Sequence, residues 1–200
     1  MMQQVFAIHG GTSFDSYGEY ISFIKTRELT LEKLKQTEDW KASLPRELGD
    51  MFEVLLPKMP NGTNVRYAEW CIWFERCIPF LQEGVILIGH SLGGIFLAKY
   101  LAEHSFPKKI KATLLVAAPF NDTSTVESLK DFVLPSSLEK LESQAGAIYI
   151  IHSKDDPVVP FEQVKKYQDM LPEAQLVVFD DRGHFNQQTF SELVTLIKSL

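Results

Sequence analysis

Short apolar runs alternate along this chain with longer stretches in which apolar residues recur at helical spacing. The runs at 5–8, 52–56, 85–88, 112–117, 147–151 and 175–179 predict strands, and the patterns at 66–80, 94–104, 161–171 and 189–200 predict helices. The strand candidates are mainly apolar runs and do not alternate with polar residues, as is typical of strands covered on both faces. The pattern therefore predicts an α/β fold, with a doubly wound, mostly parallel six-stranded sheet and helices on both faces.

Two segments interrupt this alternation. Residues 13–51 exceed what one connection between strands needs, and Thr30 and Asp39 are candidate helix starts within them. Residues 119–146 follow a predicted strand and are long enough for a small flap but not for a cap domain. We expect one domain over residues 1–200, with a helical insertion at about 13–51.

Composition narrows the classes of partner. The net charge of −6 disfavours nucleic acid and anionic membranes. The N-terminus lacks a basic leader pattern, and no apolar run is long enough to span a bilayer. Cys71 and Cys77 lie on different faces of one predicted helix, too far apart for a disulfide. These features predict a cytoplasmic protein with reduced thiols, and they leave its oligomeric state open.

The sequence Gly89-His90-Ser91-Leu92-Gly93 lies between a predicted strand and a predicted helix. Strand, tight turn and helix are the context in which a Gly-x-Ser-x-Gly motif forms a nucleophile elbow. The two glycines lack the Cβ atoms that would block so sharp a turn, which exposes the serine hydroxyl. The motif therefore predicts Ser91 as a nucleophile.

A serine hydroxyl needs a histidine base, and the base needs a carboxylate to orient it. In this topology the chain order is serine, acid, histidine. Among the five histidines, only His184 follows the last predicted strand, so we predict that it is the base. Asp156, directly before a proline, is the preferred acid; Asp155, a candidate turn or capping group, and Asp122 are the alternatives.

The remaining candidates surround this arrangement. The backbone N–H groups of Leu92 and Gly11 are predicted to bind the oxyanion, with Thr12 as an alternative donor and candidate substrate contact. Phe120 and Phe185 lie in loops at the same edge and are also candidate substrate contacts.

An aromatic stripe and a histidine near the two aspartates are predicted to have structural roles. The aromatic stripe formed by Tyr67, Trp70, Trp73 and Phe74 is assigned to the core. His152 near the two aspartates is not expected to bind a metal, and no cofactor is expected, since the chain has no phosphate-binding loop.

These motifs resemble the α/β-hydrolase fold, and more narrowly the small serine hydrolases grouped with the retinoblastoma-binding serine hydrolase. The similar segments are 57–60, 87–91, 153–157 with Pro160, 181–185 and 190–200. The resemblance covers most of the chain from Phe52 onward and the first strand. It implies a triad of Ser91, Asp156 and His184. Residues 13–51 depart from it, being longer than the family's usual first crossover.

Together these features predict a serine hydrolase that cleaves a small carboxylic ester, thioester or amide through an acyl-enzyme. Its partner would be a small-molecule, ester-type substrate. Two alternatives stay open at this point. The fold could serve a binding protein with little turnover, because fold alone does not fix function. The same triad could also transfer the acyl group to an acceptor other than water.

Overall fold

The structure is a computed structural model that describes residues 2–35, 38–122 and 128–200. Within these residues, six parallel strands form one sheet in the order β2-β1-β3-β4-β5-β6. The strands are β1 (Gln3–Ile8), β2 (Phe52–Leu55), β3 (Val85–His90), β4 (Ile110–Val116), β5 (Ala147–Ser153) and β6 (Gln175–Phe179). The predicted six-stranded sheet is confirmed, and its described pairings are all parallel.

The four predicted helices are also confirmed, with ends that differ by a few residues. The helices are α1 (Tyr17–Thr26), α2 (Leu31–Leu34), α3 (Trp40–Leu48), α4 (Tyr67–Cys77), α5 (Leu92–Glu103), α6 (Glu139–Gln144), α7 (Glu162–Met170) and α8 (Ser191–Ser199). Short 3₁₀ turns lie at Ile78–Phe80 and Lys130–Phe132. None of the described helices is long and apolar enough to cross a bilayer.

Two hydrophobic cores lie on the two faces of the sheet. On β3, Val85 and Leu87 pack with α4, α5, α6 and α7, whereas Ile86 and Ile88 pack with α3 and α8. This alternation follows from the two-residue repeat of a strand, which directs successive side chains to opposite faces. Because both sets are apolar, the strand reads as a continuous hydrophobic run.

The segment between β1 and β2 contributes α1, α2 and α3. The predicted cap Asp39 accepts a hydrogen bond from the Lys41 N–H at 3.0 Å, and α2 begins directly after Thr30. In α3, Trp40 and Leu44 are buried with α8, whereas α1 buries none of its side chains. The insertion therefore adds core on one face of the sheet as well as surface.

The prediction that Trp73 belongs to the core is wrong. Trp70 and Phe74 are fully buried, but Trp73 is 41% exposed. At 100° per residue, Trp73 lies about 60° to one side of Trp70, while the buried sector extends to the other side through Phe74 and Ile78. Tyr67 is partly buried against the same core, as predicted.

The strand order places the functional loops together. β1 pairs with β2 on one side and with β3 on the other, so the carboxyl ends of β1 and β3 meet where the chain changes direction across the sheet. Crevices at such switch points are the usual binding sites of open α/β sheets. Here the loop that begins at His9 faces the turn at Ser91.

We predict that Gly146→Ala destabilises the fold more than Gly84→Ala. Both glycines have positive φ, +64° and +78°, so both alanines carry a conformational cost of about 1–2 kcal/mol. At Gly146 a Cβ would lie 2.4 Å from the Lys111 carbonyl oxygen, whereas at Gly84 it would meet no described atom within 4 Å.

The backbone clash should add about 1–3 kcal/mol to the loss at Gly146. Urea unfolding of the two variants measures the difference. Equal losses of unfolding free energy would show that the connection before β5 relaxes freely.

Candidate active site

The turn from β3 into α5 holds Ser91 in an unusual backbone conformation, with φ 54° and ψ −123°. Its N–H donates to the Val116 carbonyl at 2.8 Å, and its carbonyl accepts from the Gly94 N–H at 2.8 Å. A Cβ on Gly89 would lie 2.3 Å from the Gly93 oxygen, so this crossing of strand and helix excludes any side chain there. The result is the sharp, strained elbow that the motif predicts.

Ser91, His184 and Asp156 form one chain of hydrogen bonds. His184 Nε2 lies 2.9 Å from Ser91 Oγ. On the other side of the ring, Nδ1 lies 2.8 Å from Asp156 Oδ2 and 3.1 Å from Oδ1. The structure thus brings together the three residues that the sequence singled out, with the carboxylate bound to the ring nitrogen opposite the serine.

The Asp156 carboxylate is buried and held by the backbone. Its Oδ1 accepts from the N–H groups of Val158 at 2.8 Å and Val159 at 2.9 Å. His152 lies behind it, with Nε2 2.8 Å from the Val159 carbonyl oxygen, and burial holds the pKa of His152 below its usual value. Asp156 Oδ2 lies 2.8 Å from His184 Nδ1 and 3.8 Å from His152 Nε2, so His184 is the imidazole closer to the carboxylate.

The other two acid candidates have different partners. Asp155 Oδ1 accepts from Ser153 Oγ at 2.5 Å and from the Gly183 N–H at 2.9 Å, and these bonds lower the pKa of Asp155. It therefore ties the loop of His184 to the end of β5. Asp122 Oδ1 accepts from the Leu129 N–H at 2.5 Å, in the segment after β4.

Another histidine, His90, lies next to His184 in the core. His90 Nε2 is 2.9 Å from the His184 carbonyl oxygen, and Nδ1 is 3.3 Å from Lys41 Nζ. An ammonium group only donates, so Nδ1 accepts and Nε2–H donates to the carbonyl. Burial, followed by the charge of Lys41, holds the pKa of His90 well below its usual value. The elbow histidine is thus a neutral support for the backbone of His184.

Lys41 completes this support from α3. Its ammonium group pairs with Asp39 Oδ2 at 2.5 Å and lies 4.7 Å from the ring centre of Trp40. Burial lowers the pKa of Lys41, while Asp39 opposes that shift. Sequence reasoning marked Asp39 only as a helix cap and missed Lys41. No motif marks this lysine, because only the packing of α3 beside β3 brings it to the site.

A cleft of about 370 Å³ opens above Ser91 and His184. Polar side chains of His9, Asp39, Lys41 and Asn186 contribute to its walls. His9 is fixed by its neighbours, since Nε2 accepts from the Met59 N–H at 2.9 Å and Nδ1 lies 2.5 Å from the Gly10 oxygen. The space beside the serine therefore suits a ligand with several hydrogen-bonding groups.

The three candidate oxyanion donors, the backbone N–H groups of Leu92, Gly11 and Thr12, lie in different surroundings. Leu92 is the first residue of α5, and the first amides of a helix have no intrahelical acceptor. Gly11 has no room for a side chain, since a Cβ would lie 2.7 Å from Val65 Cγ2. The N–H of the alternative donor Thr12 already donates to the Gly62 oxygen at 3.0 Å, although Thr12 lines the cleft. Gly11 and Leu92 are therefore better candidates for the two oxyanion donors than Thr12.

The interpretation of Phe185 as a substrate contact is wrong. Its ring is fully buried between Phe179 and Phe190, with ring centres at 5.7 and 5.1 Å. Both Gly183 and Phe185 have positive φ. The loop thus turns His184 toward the serine while the next residue enters the core beside α3 and α8.

Phe120 is half-buried against helix α7, and it is not among the described residues that line the cleft. Its ring packs on Tyr167 with centres 5.0 Å apart, and its N–H donates to Gln163 Oε1 at 3.0 Å. These contacts assign Phe120 to packing. No cluster of three metal-ligating side chains occurs among the residues that the structure describes.

A model of the family described as "Serine hydrolase" matches residues 33–195. The chain belongs to the serine hydrolase family. Serine hydrolase RBBP9 of Rattus norvegicus is 31% identical over 151 residues, covering 74% of this chain and 78% of that protein. YdeN of Bacillus subtilis (strain 168) is 26% identical over 155 residues, covering 76% of this chain and 81% of that protein.

Solved structures show the α/β-hydrolase fold for this serine hydrolase. The ydeN gene product of B. subtilis superposes with a TM-score of 0.79 at 24% identity, covering 99% of this chain and 98% of that one. A thioesterase domain from the curacin biosynthetic pathway gives a TM-score of 0.62 at 13% identity, covering 100% and 92%. Family and fold together identify the protein as a hydrolase.

We predict that His9 and His90 hold opposite neutral tautomers. His9 should carry its proton on Nδ1 and His90 on Nε2, because Nε2 of His9 accepts from the Met59 amide and Nδ1 of His90 faces an ammonium group. Long-range ¹H–¹⁵N spectra at pH 8 distinguish the two forms, and each residue serves as the reference for the other. An Nδ1–H signal for His90, or its protonation near pH 6, would contradict the arrangement around Lys41.

Proposed function

We propose that this serine hydrolase cleaves a small carboxylic ester through an acyl-enzyme, with Ser91 as nucleophile, His184 as base and Asp156 as the orienting acid. The hydrogen-bonded chain from Asp156 through His184 to Ser91 Oγ carries this proposal. The 2.9 Å between Ser91 Oγ and His184 Nε2 is short enough for proton transfer, and the 2.8 Å bond from Nδ1 to Asp156 Oδ2 holds the imidazole in place. We further infer a small-molecule substrate and a cytoplasmic setting.

In the first step, Ser91 Oγ attacks the ester carbonyl carbon while its proton passes to His184 Nε2. The carbonyl π electrons move to oxygen, giving a tetrahedral oxyanion. Asp156 retains the Nδ1–H hydrogen bond, which fixes the tautomer and stabilises the imidazolium ion. The N–H groups of Leu92 and Gly11 donate to the oxyanion, and α5 adds its N-terminal dipole.

In the second step, the oxyanion collapses and the bond to the leaving oxygen breaks. His184 returns its proton to that oxygen, releasing an alcohol and leaving the acyl group on Ser91. Water then repeats the sequence, giving a proton to His184 as it attacks the acyl carbon. Collapse of the second intermediate releases the carboxylic acid and restores the serine hydroxyl.

The base must stay aligned through both steps, and its backbone has its own support. His90 donates to the His184 carbonyl, and Asp155 accepts from the preceding amide of Gly183. The first bond holds the peptide group after His184, and the second holds the peptide group between Arg182 and Gly183, one residue before it. Geometry fixed in this way avoids a reorganisation cost at the moment of reaction.

A fluorophosphonate probe tests the proposal directly. The wild-type protein should become labelled on Ser91, and Ser91→Ala and His184→Ala should lose labelling and about 10⁴-fold or more of ester turnover. Asp156→Asn should lose a comparable factor, because the wrong imidazole tautomer would face the serine. Peptide mass mapping locates the label, and p-nitrophenyl acetate measures turnover.

Ser191→Ala is the matched control, since Ser191 is an exposed serine at the start of α8. This variant should keep both labelling and turnover. Folded wild-type protein that neither reacts with the probe nor cleaves the ester, even at mildly alkaline pH, would reject the mechanism. Unchanged turnover in Ser91→Ala would reject Ser91 as the nucleophile.

A further inference from the structure

A second pocket adjoins Ser91, and it differs sharply from the polar cleft. Its volume is about 20 Å³, against about 370 Å³ for the cleft. Its walls include Gly11, Leu92, Pro119, Leu129, Val158 and Val159. Of these, Leu129 and Val159 are 3% and 2% exposed, so their side chains form buried walls of the pocket.

The walls of this narrow pocket are tied down on several sides. Ser13 Oγ donates to the Ser128 carbonyl at 2.6 Å, and Ser128 Oγ donates to Asp15 Oδ1 at 2.8 Å. The next residue, Leu129, donates its N–H to Asp122 Oδ1 at 2.5 Å. On the opposite wall, Val159 is held by its bond to Asp156. These bonds oppose the backbone shifts that would enlarge the pocket.

The chemistry decides which part of an ester enters which space. The leaving oxygen must face His184 Nε2 to receive its proton, and His184 lines the large cleft. The carbonyl oxygen must face the amides of Leu92 and Gly11. Ser91 and Gly11 line both spaces, so this oxygen lies where the cleft and the narrow pocket meet. With those two groups placed, the remaining substituent on the carbonyl carbon, the acyl chain, is left to point past this junction toward Leu129 and Val159, which line the narrow pocket and not the cleft.

The volume then limits the acyl chain. A cavity needs roughly 10–15 Å³ on this measure to admit a single water-sized group. A pocket of about 20 Å³ therefore accepts a methyl or ethyl group, whereas a longer chain must displace Leu129 or Val159. The cleft, by contrast, has room for a leaving group with many atoms and several polar groups.

We propose, resting on the proposed function, that the substrates are esters of short acyl groups, acetyl or propionyl, with a larger polar alcohol as the leaving group. Leu129 and Val159 set the limit on acyl length. The polar side chains of Asp39, Lys41 and Asn186 face the alcohol. Different residues of the site thus determine specificity for the acyl group and for the alcohol.

The test uses p-nitrophenyl acetate, butyrate and octanoate, which share a leaving group and differ only in the acyl chain. In the wild-type enzyme, kcat/KM should fall by about 10- to 100-fold from acetate to octanoate. Leu129→Ala should raise the octanoate-to-acetate ratio of kcat/KM by about 10-fold or more, because it opens the end of the pocket. Val159→Ala provides a second, smaller enlargement should the first variant fold poorly.

Leu141→Ala is the matched control. Leu141 is a fully buried leucine of α6 in the same core as Leu129, but it is not among the residues described as lining the pocket. Its replacement should lower stability and leave the ratio unchanged. Fluorophosphonate labelling of the same preparations reports whether Ser91 is reactive.

The outcomes separate the two proposals. Labelling of Ser91 with a wild-type preference for octanoate would reject the short-acyl assignment while leaving the hydrolase mechanism intact. The same conclusion follows if Leu129→Ala and Val159→Ala both fold and neither changes the ratio. Absence of labelling and of turnover with every ester would instead reject the mechanism on which the assignment rests.

Discussion

The site depends on one close crossing of backbones at the elbow. Ser91 is held at φ 54°, a conformation that costs of order 1–3 kcal/mol for a residue with a side chain. It persists because Gly89 and Gly93 let three segments touch: a Cβ on Gly93 would lie 2.6 Å from the oxygens of both Ile8 and His9. Strand β1, strand β3 and helix α5 therefore meet without intervening side chains. This contact sets the loop after β1 against the serine.

The histidine depends on a different part of the chain. Three hydrogen bonds to backbone carbonyls hold its loop. His90 donates to the carbonyl of His184. Trp40 donates its indole N–H to the carbonyl of Phe185 and its backbone N–H to the carbonyl of Gln187. Two of these donors come from the first residue of α3. Helix α3 thus braces the loop of His184 from the core side, while burial of Phe185 anchors the loop. Length that looks excessive in the sequence has a structural use in the fold.

Local patterns carried most of what the sequence could predict. Continuous apolar runs identify buried parallel strands, and the elbow and the chain order of Ser91, Asp156 and His184 identify the residues that meet. What failed depends on long-range packing. Trp73 lies one helical sector away from the buried face, and Phe185 enters the core because of a turn at Gly183. Lys41 reaches the site only through the placement of α3, which no spacing in the sequence encodes.

The two unequal spaces beside Ser91 match the order of events in the proposed two-step hydrolysis, with the acyl group in the narrow pocket and the alcohol in the cleft. The acyl group stays attached to the serine after the alcohol leaves, so its pocket need never open between the steps. The leaving-group space must empty and then admit water to the same side of His184, because one imidazole both protonates the alcohol and activates the water. A narrow apolar pocket and a wide polar cleft satisfy these opposite requirements. Because the cleft is lined by hydrogen-bonding side chains, the proposed mechanism lets water take the place of the alcohol before the second attack.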